Sequence, residues 1–247
     1  MDVDVAAVAG LLADRTRADT VAALLDGRAL TSGELARATG VSPQTISSHL
    51  RRLLDAGLLA VETQGRHRYY RLIDVRVGRA FEALAALAPV RQVRSLRQSR
   101  IAAELRLART CYDHLAGKVA VLLTNALHET HILVRADDTY VLGKNGTPRL
   151  TDFGLDIETL RRTRRAFALP CLDWSERRHH IAGAVGAALL TRMLELGWLS
   201  RHPNSRAVRI EETGRRGLME VFGCDLLIDT EPTAPGPIAP PVPASRC

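Results

Sequence analysis

Two stretches of this 247-residue chain carry the same reactive side chains in the same order. Cys111 is followed by Asp113 and His114; Cys171 is followed by Asp173 and then by His179 and His180. Thiols and imidazoles are the usual ligands of zinc and of softer thiophilic ions. A lone buried cysteine, by contrast, is usually just a small hydrophobe. A spacing of three puts Cys111 and His114 on one face of a helix, and His128 and His131 share that spacing nearby. If the two stretches pack about a pseudo-twofold axis, His114 faces His180. Four roles stay open for Cys111, His114, Cys171, His179 and His180: a metal site of unknown ion, a redox thiol, the edge of an Ala/Leu-lined organic-ligand pocket, or plain structure. Ion pairs of Asp173 with Arg177, and of Asp113 with Lys118 or Arg109, are expected, and Trp174 and Trp198 are expected in the core.

A second constellation lies between residues 42 and 68. Gln44, Thr45, Ser47, Ser48, His49, Arg51 and Arg52 alternate with Ile46, Leu50, Leu53 and Leu54, so one helix buries an apolar stripe and turns a polar face outward. Gln pairs bidentately with adenine, Ser and Thr contact either base type, and Arg suits guanine or phosphate. Ser42 and Thr45 sit near the helix N-terminus, where free N–H groups favour phosphate. Arg66, His67 and Arg68 follow at a hairpin tip and suit the DNA backbone or minor groove. A merely solvated helix face would look similar residue by residue. The combination with its neighbouring elements separates the two readings.

Those elements can be read in order. Val5–Leu12 opens a helix, and a second runs to Leu25 before Asp26-Gly27 stops it. Thr31 or Ser32 caps a short helix with Glu34 in its first turn, and Gly40 breaks it. Ser42 caps the next helix with Pro43 at its first position, and Ala56-Gly57 ends it. Residues 58–62 and His67–Leu72 then read as two strands joined at Gln64-Gly65-Arg66. Together they make a winged helix-turn-helix. The apolar segments Val5–Leu12 and 81–87 would each expose a face on a single copy.

The motifs Glu34-Leu35-Ala36, Gly40-Val41-Ser42, Ile46-Ser47-Ser48-His49-Leu50, Ala56-Gly57-Leu58 and Gly65-Arg66 through Tyr70 resemble the DNA-binding domain of ArsR-type (ArsR/SmtB) repressors, over roughly residues 5–89. The resemblance implies a homodimer, paired through the first and last helices of the domain, that binds a palindromic operator in double-stranded DNA and is released by an effector. The family's sensing sites do not carry over. Its arsenic and cadmium sensors place a Cys-x-Cys before the reading helix, and residues 31–38 contain no cysteine. Its zinc sensors use Asp and His on the last helix, where Asp74 here is followed by Val75 and Arg76, with no histidine up to Pro89.

Beyond residue 90 the chain repeats itself. HLAGKVAVLLT from His114 resembles HIAGAVGAALLT from His180, and Thr151 with Gly154 answers Thr213 with Gly214. The expected architecture is therefore mainly α with small β wings. It comprises a winged helix-turn-helix over 1–90, a duplicated, winged-helix-like α+β effector and dimerisation domain over 91–229 (copies near 105–160 and 165–225), and a Pro-rich disordered tail over 230–247. Arg91, Arg94, Arg97, Arg100, Arg106 and Arg109 concentrate the basic charge of a chain with net charge +7, and spacings of three place the first four on a helical stripe that is either a solvated face or a track for phosphates. Four widely spaced cysteines without a Cys-x-x-Cys argue against a disulfide scaffold, and with Asp2 and Asp4 where a secretory signal needs Lys or Arg, a cytoplasmic chain with no membrane partner is expected. The function expected is a dimeric transcriptional repressor with an unknown effector and no certain cofactor, a metal ion in the C-terminal half being one candidate. The rival readings are a protein-interaction adaptor and a Cys/His enzyme, for which nothing supplies an oxyanion loop or phosphate loop.

Overall fold

The computed structural model describes residues 3–89, 96–203 and 205–226. Arg91, Arg94, the side chain of Arg97 and the tail over 230–247 lie outside the described residues. Among the described residues no helix is long and apolar enough to cross a membrane.

The N-terminal part is a winged helix-turn-helix. α1 (Val5–Leu12) and α2 (Arg15–Ala23) start at Asp4 and Asp14, whose carboxylates accept from the first-turn N–H groups of Ala7 and Arg17. β1 (Leu30–Thr31) leads into α3 (Ser32–Thr39), where Thr31 and Glu34 close a reciprocal capping box and Gly40 ends the helix at φ 72°. α4 (Pro43–Asp55) is capped by Ser42 and has Pro43 in its first turn. β2 (Leu59–Gln64) and β3 (His67–Leu72) form the wing, and β1 pairs with the outer edge of β3. α5 (Val75–Leu87) follows. Val21, Leu24, Leu25, Leu35, Ile46, Leu50, Leu53, Leu59, Tyr70 and Leu72 make one apolar core beneath these elements.

A second core is built by two runs that share the order hairpin, helix, hairpin, helix, the first carrying one further helix at its end. After α6 (Leu96–Leu107) come the hairpin β4 (Arg109–Cys111)/β5 (His114–Ala116), helix α7 (Lys118–Glu129), hairpin β6 (Leu133–Ala136)/β7 (Thr139–Leu142), α8 (Gly146–Asp152) and α9 (Ile157–Arg162). Then come the hairpin β8 (Leu169–Leu172)/β9 (His179–Ala182), helix α10 (Gly183–Glu195), hairpin β10 (Leu199–Arg201)/β11 (Val208–Ile210) and α11 (Glu212–Phe222). The runs interlock crosswise: α10 packs on β5 and α7 packs on β9. Position by position, Gly146 rather than Gly154 answers Gly214. A Cβ on Gly146 would meet the Ile132 carbonyl at 2.5 Å, and one on Gly214 the Trp198 carbonyl at 2.2 Å.

The hairpin-to-helix joints of the two runs need glycine. Gly117 and Gly183 have φ of 90° and 85°, and a Cβ there would lie 2.7 Å from the Arg106 carbonyl and 2.8 Å from the Ala166 carbonyl. Gly117→Ala and Gly183→Ala should each cost at least about 1–3 kcal/mol, read by urea unfolding through Trp174 and Trp198 fluorescence. Gly10→Ala, with open space around its Cβ, should be neutral or slightly stabilising. Equal effects of all three would contradict this account of the joints.

Candidate functional site

On α4 the apolar stripe Ile46, Leu50 and Leu53 is buried, and Gln44, Thr45, Ser47, Ser48, Arg51 and Arg52 are exposed on the other side. The Ser42 hydroxyl accepts from the Thr45 N–H, while the Ser47 and Ser48 hydroxyls donate back to the carbonyls of Pro43 and Thr45. These hydroxyls keep acceptor capacity toward an incoming group. Arg66, His67 and Arg68 are exposed at the wing tip. His49 is set apart from the other residues of the α4 face, because its Nδ1 lies 3.4 Å from the Asp14 carboxylate beside α2.

The Cys/His residues converge. Cys111 pairs with His114 across the β4/β5 hairpin, and Cys171 pairs with His180 across β8/β9. Cys111 and His114 therefore meet across a tight turn, with Tyr112 at φ 58°, and not along a helix face as their spacing suggested. One sulfur and one imidazole nitrogen from each hairpin all fall within 4.8 Å of one another. The two thiols approach to 4.0 Å and the two Nε2 atoms to 3.1 Å. Cys111, His114 and His180 are buried and Cys171 half-buried. His179 does not join them: it is exposed, with Nδ1 3.3 Å from Arg135. His128 is exposed on α7, and His131 is an exposed turn residue at φ 54°.

Each imidazole has a carboxylate behind it. His114 Nδ1 lies 3.4 Å from Asp113, and His180 Nδ1 lies 3.5 Å from Asp173, without a hydrogen bond of its own. The carboxylates are held crosswise: Asp113 by Arg165 at 2.6 Å, and Asp173 by Arg109 at 2.9 Å. These replace the partners expected from sequence, Lys118 or Arg109 for Asp113 and Arg177 for Asp173. Asp173 Oδ2 also accepts from the Gly117 N–H at the start of α7, and its Oδ1 accepts from Ser175. Hydrogen bonding to Cys171 and burial push the Cys111 thiol up to about 12, against the pull of the two histidines. Burial opposes protonation of His114, yet its hydrogen bonds with Asp113 and Cys111 outweigh burial and raise it to about 9. Burial would raise Asp173, but Arg109 and then His180 hold it well below the usual carboxylate range.

From this cluster a line of charge runs to the winged helix. Arg109 is fully buried, with its guanidinium 4.6 Å from the Trp174 ring centre. It is therefore a strand residue in the interior rather than the end of the basic helix expected over 91–109. Its Nη2 lies 3.9 Å from Glu82 of α5, and Glu82 is bonded to Arg206 at 2.6 Å. The Tyr112 N–H at the β4/β5 turn donates to the Leu25 carbonyl in the turn after α2. Glu82 was missed in the sequence, but a signal existed. It stands between Gly78 and Ala86 at spacings of four, the buried positions of α5, where an unpaired carboxylate would not be tolerated.

Residues 12–62 match the family described as a helix-turn-helix domain. The HTH-type transcriptional regulator YdfF of Bacillus subtilis (strain 168) is 46% identical over 215 residues, 87% of this chain and 95% of its own length. Two solved structures are similar over about a third of the chain. The homodimeric winged helix-turn-helix domain of Mb0332 from Mycobacterium bovis, a possible ArsR-family regulator, is 30% identical, covering 34% of this chain and 76% of its own, with a TM-score of 0.31. The cadmium metal-sensor CMTR from Mycobacterium tuberculosis is 33% identical, covering 37% of this chain and 95% of its own, with a TM-score of 0.31.

The energetic weight of the charge line is testable. Asp173→Ala removes the carboxylate bonded to the fully buried Arg109, leaving Glu82 at 3.9 Å as its nearest described counter-charge, and should cost about 3–5 kcal/mol in urea unfolding. A loss below about 1 kcal/mol would mean that water reaches Arg109 in the folded protein.

Proposed function

From the premise that the chain belongs to the HTH-type transcriptional regulators, through a relative that matches it almost end to end, we propose that it is a dimeric, sequence-specific repressor whose effector acts in the C-terminal half. The observation that carries the DNA-reading half of this proposal is the outward face of α4. Gln44, Thr45, Ser47, Ser48, Arg51 and Arg52 are exposed beside the basic wing tip, over a fully buried stripe. In this reading α4 lies in the major groove, with Gln44 and Ser48 on base edges, Ser42 and Thr45 presenting the helix N-terminus to phosphate, and Arg66, His67 and Arg68 on the backbone or in the minor groove. His49 acts at one remove, by seating α4 on α2.

The dimer rests on two exposed apolar helices. α1 buries none of its residues, Val5 being 68% exposed, and α5 leaves Leu84 and Leu87 at 52% and 77%. Covering both with a second copy removes that surface from water and sets two α4 helices on one side of the duplex. The effector is placed at Cys111, His114, Cys171 and His180 because this buried cluster touches the winged helix through Arg109, Glu82 and Tyr112. An organic ligand is less well accommodated, since the apolar cavity lined by Leu115, Leu123, Ile181 and Leu189 beside the cluster is only about 10 Å³.

Selection of duplexes from random DNA by the full chain tests this reading. The wild type should return two inverted half-sites about 34 Å apart. Gln44→Ala should relax one base position by about 1–3 kcal/mol, whereas Arg68→Ala should weaken all duplexes alike. A single half-site would contradict the dimer, and an unchanged preference in the Gln44 variant would contradict its base-reading role.

A further inference from the structure

We propose that Cys111, His114, Cys171 and His180 form a closed tetrahedral site for a zinc-class divalent cation, and that Asp173, Arg109 and Glu82 couple its occupancy to the winged helix. The site stands on its own geometry; the coupling deepens the regulator reading above and rests on it.

The donors match the ion in kind, number and spacing. Two thiolates and two imidazoles make a complete zinc coordination sphere with no position left for substrate. Zinc–sulfur bonds of about 2.3 Å and zinc–nitrogen bonds of about 2.0–2.1 Å at tetrahedral angles require S···S and N···N edges of about 3.8 and 3.4 Å. The thiols stand 4.0 Å apart and the Nε2 atoms 3.1 Å apart, each within tenths of an ångström of its edge, and the four donors lie within 4.8 Å of one another, so closing the sulfur–nitrogen edges to about 3.6 Å takes a movement of up to about an ångström. Both imidazoles turn Nε2 inward and Nδ1 toward a carboxylate, the outer-shell arrangement that fixes the metal-binding tautomer. His180 is fully buried and its Nδ1 is without a hydrogen bond. A cation on Nε2 keeps the proton on Nδ1 and sharpens its attraction to Asp173.

Charge balances as well. Binding sends both thiol protons and any second imidazole proton to solvent, and the two thiolates cancel the charge of the cation, so the loaded site is neutral in its buried place. A disulfide is the competing use of the thiols. It would draw the sulfurs from 4.0 Å to about 2.05 Å and leave the paired imidazoles without a role.

The path outward begins at one atom. Asp173 Oδ2 faces His180 Nδ1, Arg109 Nη2 and the Gly117 N–H together. A stronger claim by His180 on that oxygen loosens Arg109, whose other carboxylate neighbour is Glu82 of α5. The same hairpin grips the turn that follows α2 through Tyr112 and Leu25. Metal binding thus bears on α5 and on the turn after α2 of the DNA-reading domain.

The test uses the full wild-type chain, stripped with a chelator and reloaded with zinc or cobalt. One zinc per chain by elemental analysis is expected, and cobalt should show thiolate charge transfer and tetrahedral d–d bands. Cys171→Ser should lose these bands and His179→Ala should keep them. No retained zinc, an octahedral cobalt spectrum, or a Cys111–Cys171 disulfide that excludes metal in the freshly purified chain would overturn the site. Because the decisive spectrum comes from the wild type, a variant that fails to fold changes nothing. With the selected duplex, zinc should lower affinity about 5–150-fold, and Glu82→Gln should bind zinc yet lose that response. A metal-loaded chain with unchanged affinity, or a Glu82→Gln variant that responds like the wild type, would overturn the coupling. A rise in affinity would keep the coupling and overturn release. Zinc binding without any DNA binding would sink the regulator reading alone.

Discussion

The constraint on which the C-terminal architecture depends is the complete burial of the Arg109 guanidinium. Withdrawing such an ion from water costs several kcal/mol unless carboxylates and acceptors replace its hydration. Arg109 finds most of them in Asp173, the Leu105 carbonyl and the Ser175 hydroxyl, with the Trp174 ring over its face and Glu82 beyond, while its Nε has no hydrogen bond among the described residues. These come from α5, α6 and the segment after β8, so satisfying one side chain brings together parts of the chain far apart in sequence. The charges cancel locally, Arg109 and Arg206 against Asp173 and Glu82, which is what allows the group to remain dry.

The crosswise packing of the two hairpin–helix runs follows the same logic. Each hairpin presents a cysteine and a histidine inward, and each run's aspartate is held by an arginine of the other run. The glycines at the start of α7 and α10 let the helices leave their hairpins at once, so that each lies on the opposite hairpin. The Cys/His cluster is thus a product of the packing of the two runs, and a change in one hairpin is felt by the other.

Much of the winged helix-turn-helix was legible because its determinants are local. The Thr31–Glu34 capping box, Gly40, Ser42-Pro43 and the stripe Ile46, Leu50, Leu53 each act within a turn or two of helix. The meeting of His114 with His180 was foreseen from the repeat. Long-range pairings were not legible. A spacing of three between Cys111 and His114 fits a helix face as well as a tight turn, and only Tyr112 in the left-handed region decides between them. The partners of Asp113 and Asp173 are 52 and 64 residues away, whereas sequence proximity favoured neighbours. Arg109 read as one more cation of the basic segment over 91–109 or as a neighbour's partner for Asp113, because local periodicity carries no information about Asp173.

The central claim, that the exposed face of α4 and the wing hold duplex DNA in a sequence-specific regulator, is tested most directly by salt titration of the full chain on its selected duplex, followed by fluorescence anisotropy. Cations on phosphates release condensed counterions, so log affinity should fall linearly with log salt, with a slope near −0.9 for each phosphate contacted, and the selected duplex should stay tighter than a scrambled one throughout. Affinity that ignores salt, or that is equal for selected and scrambled duplexes, would contradict the account.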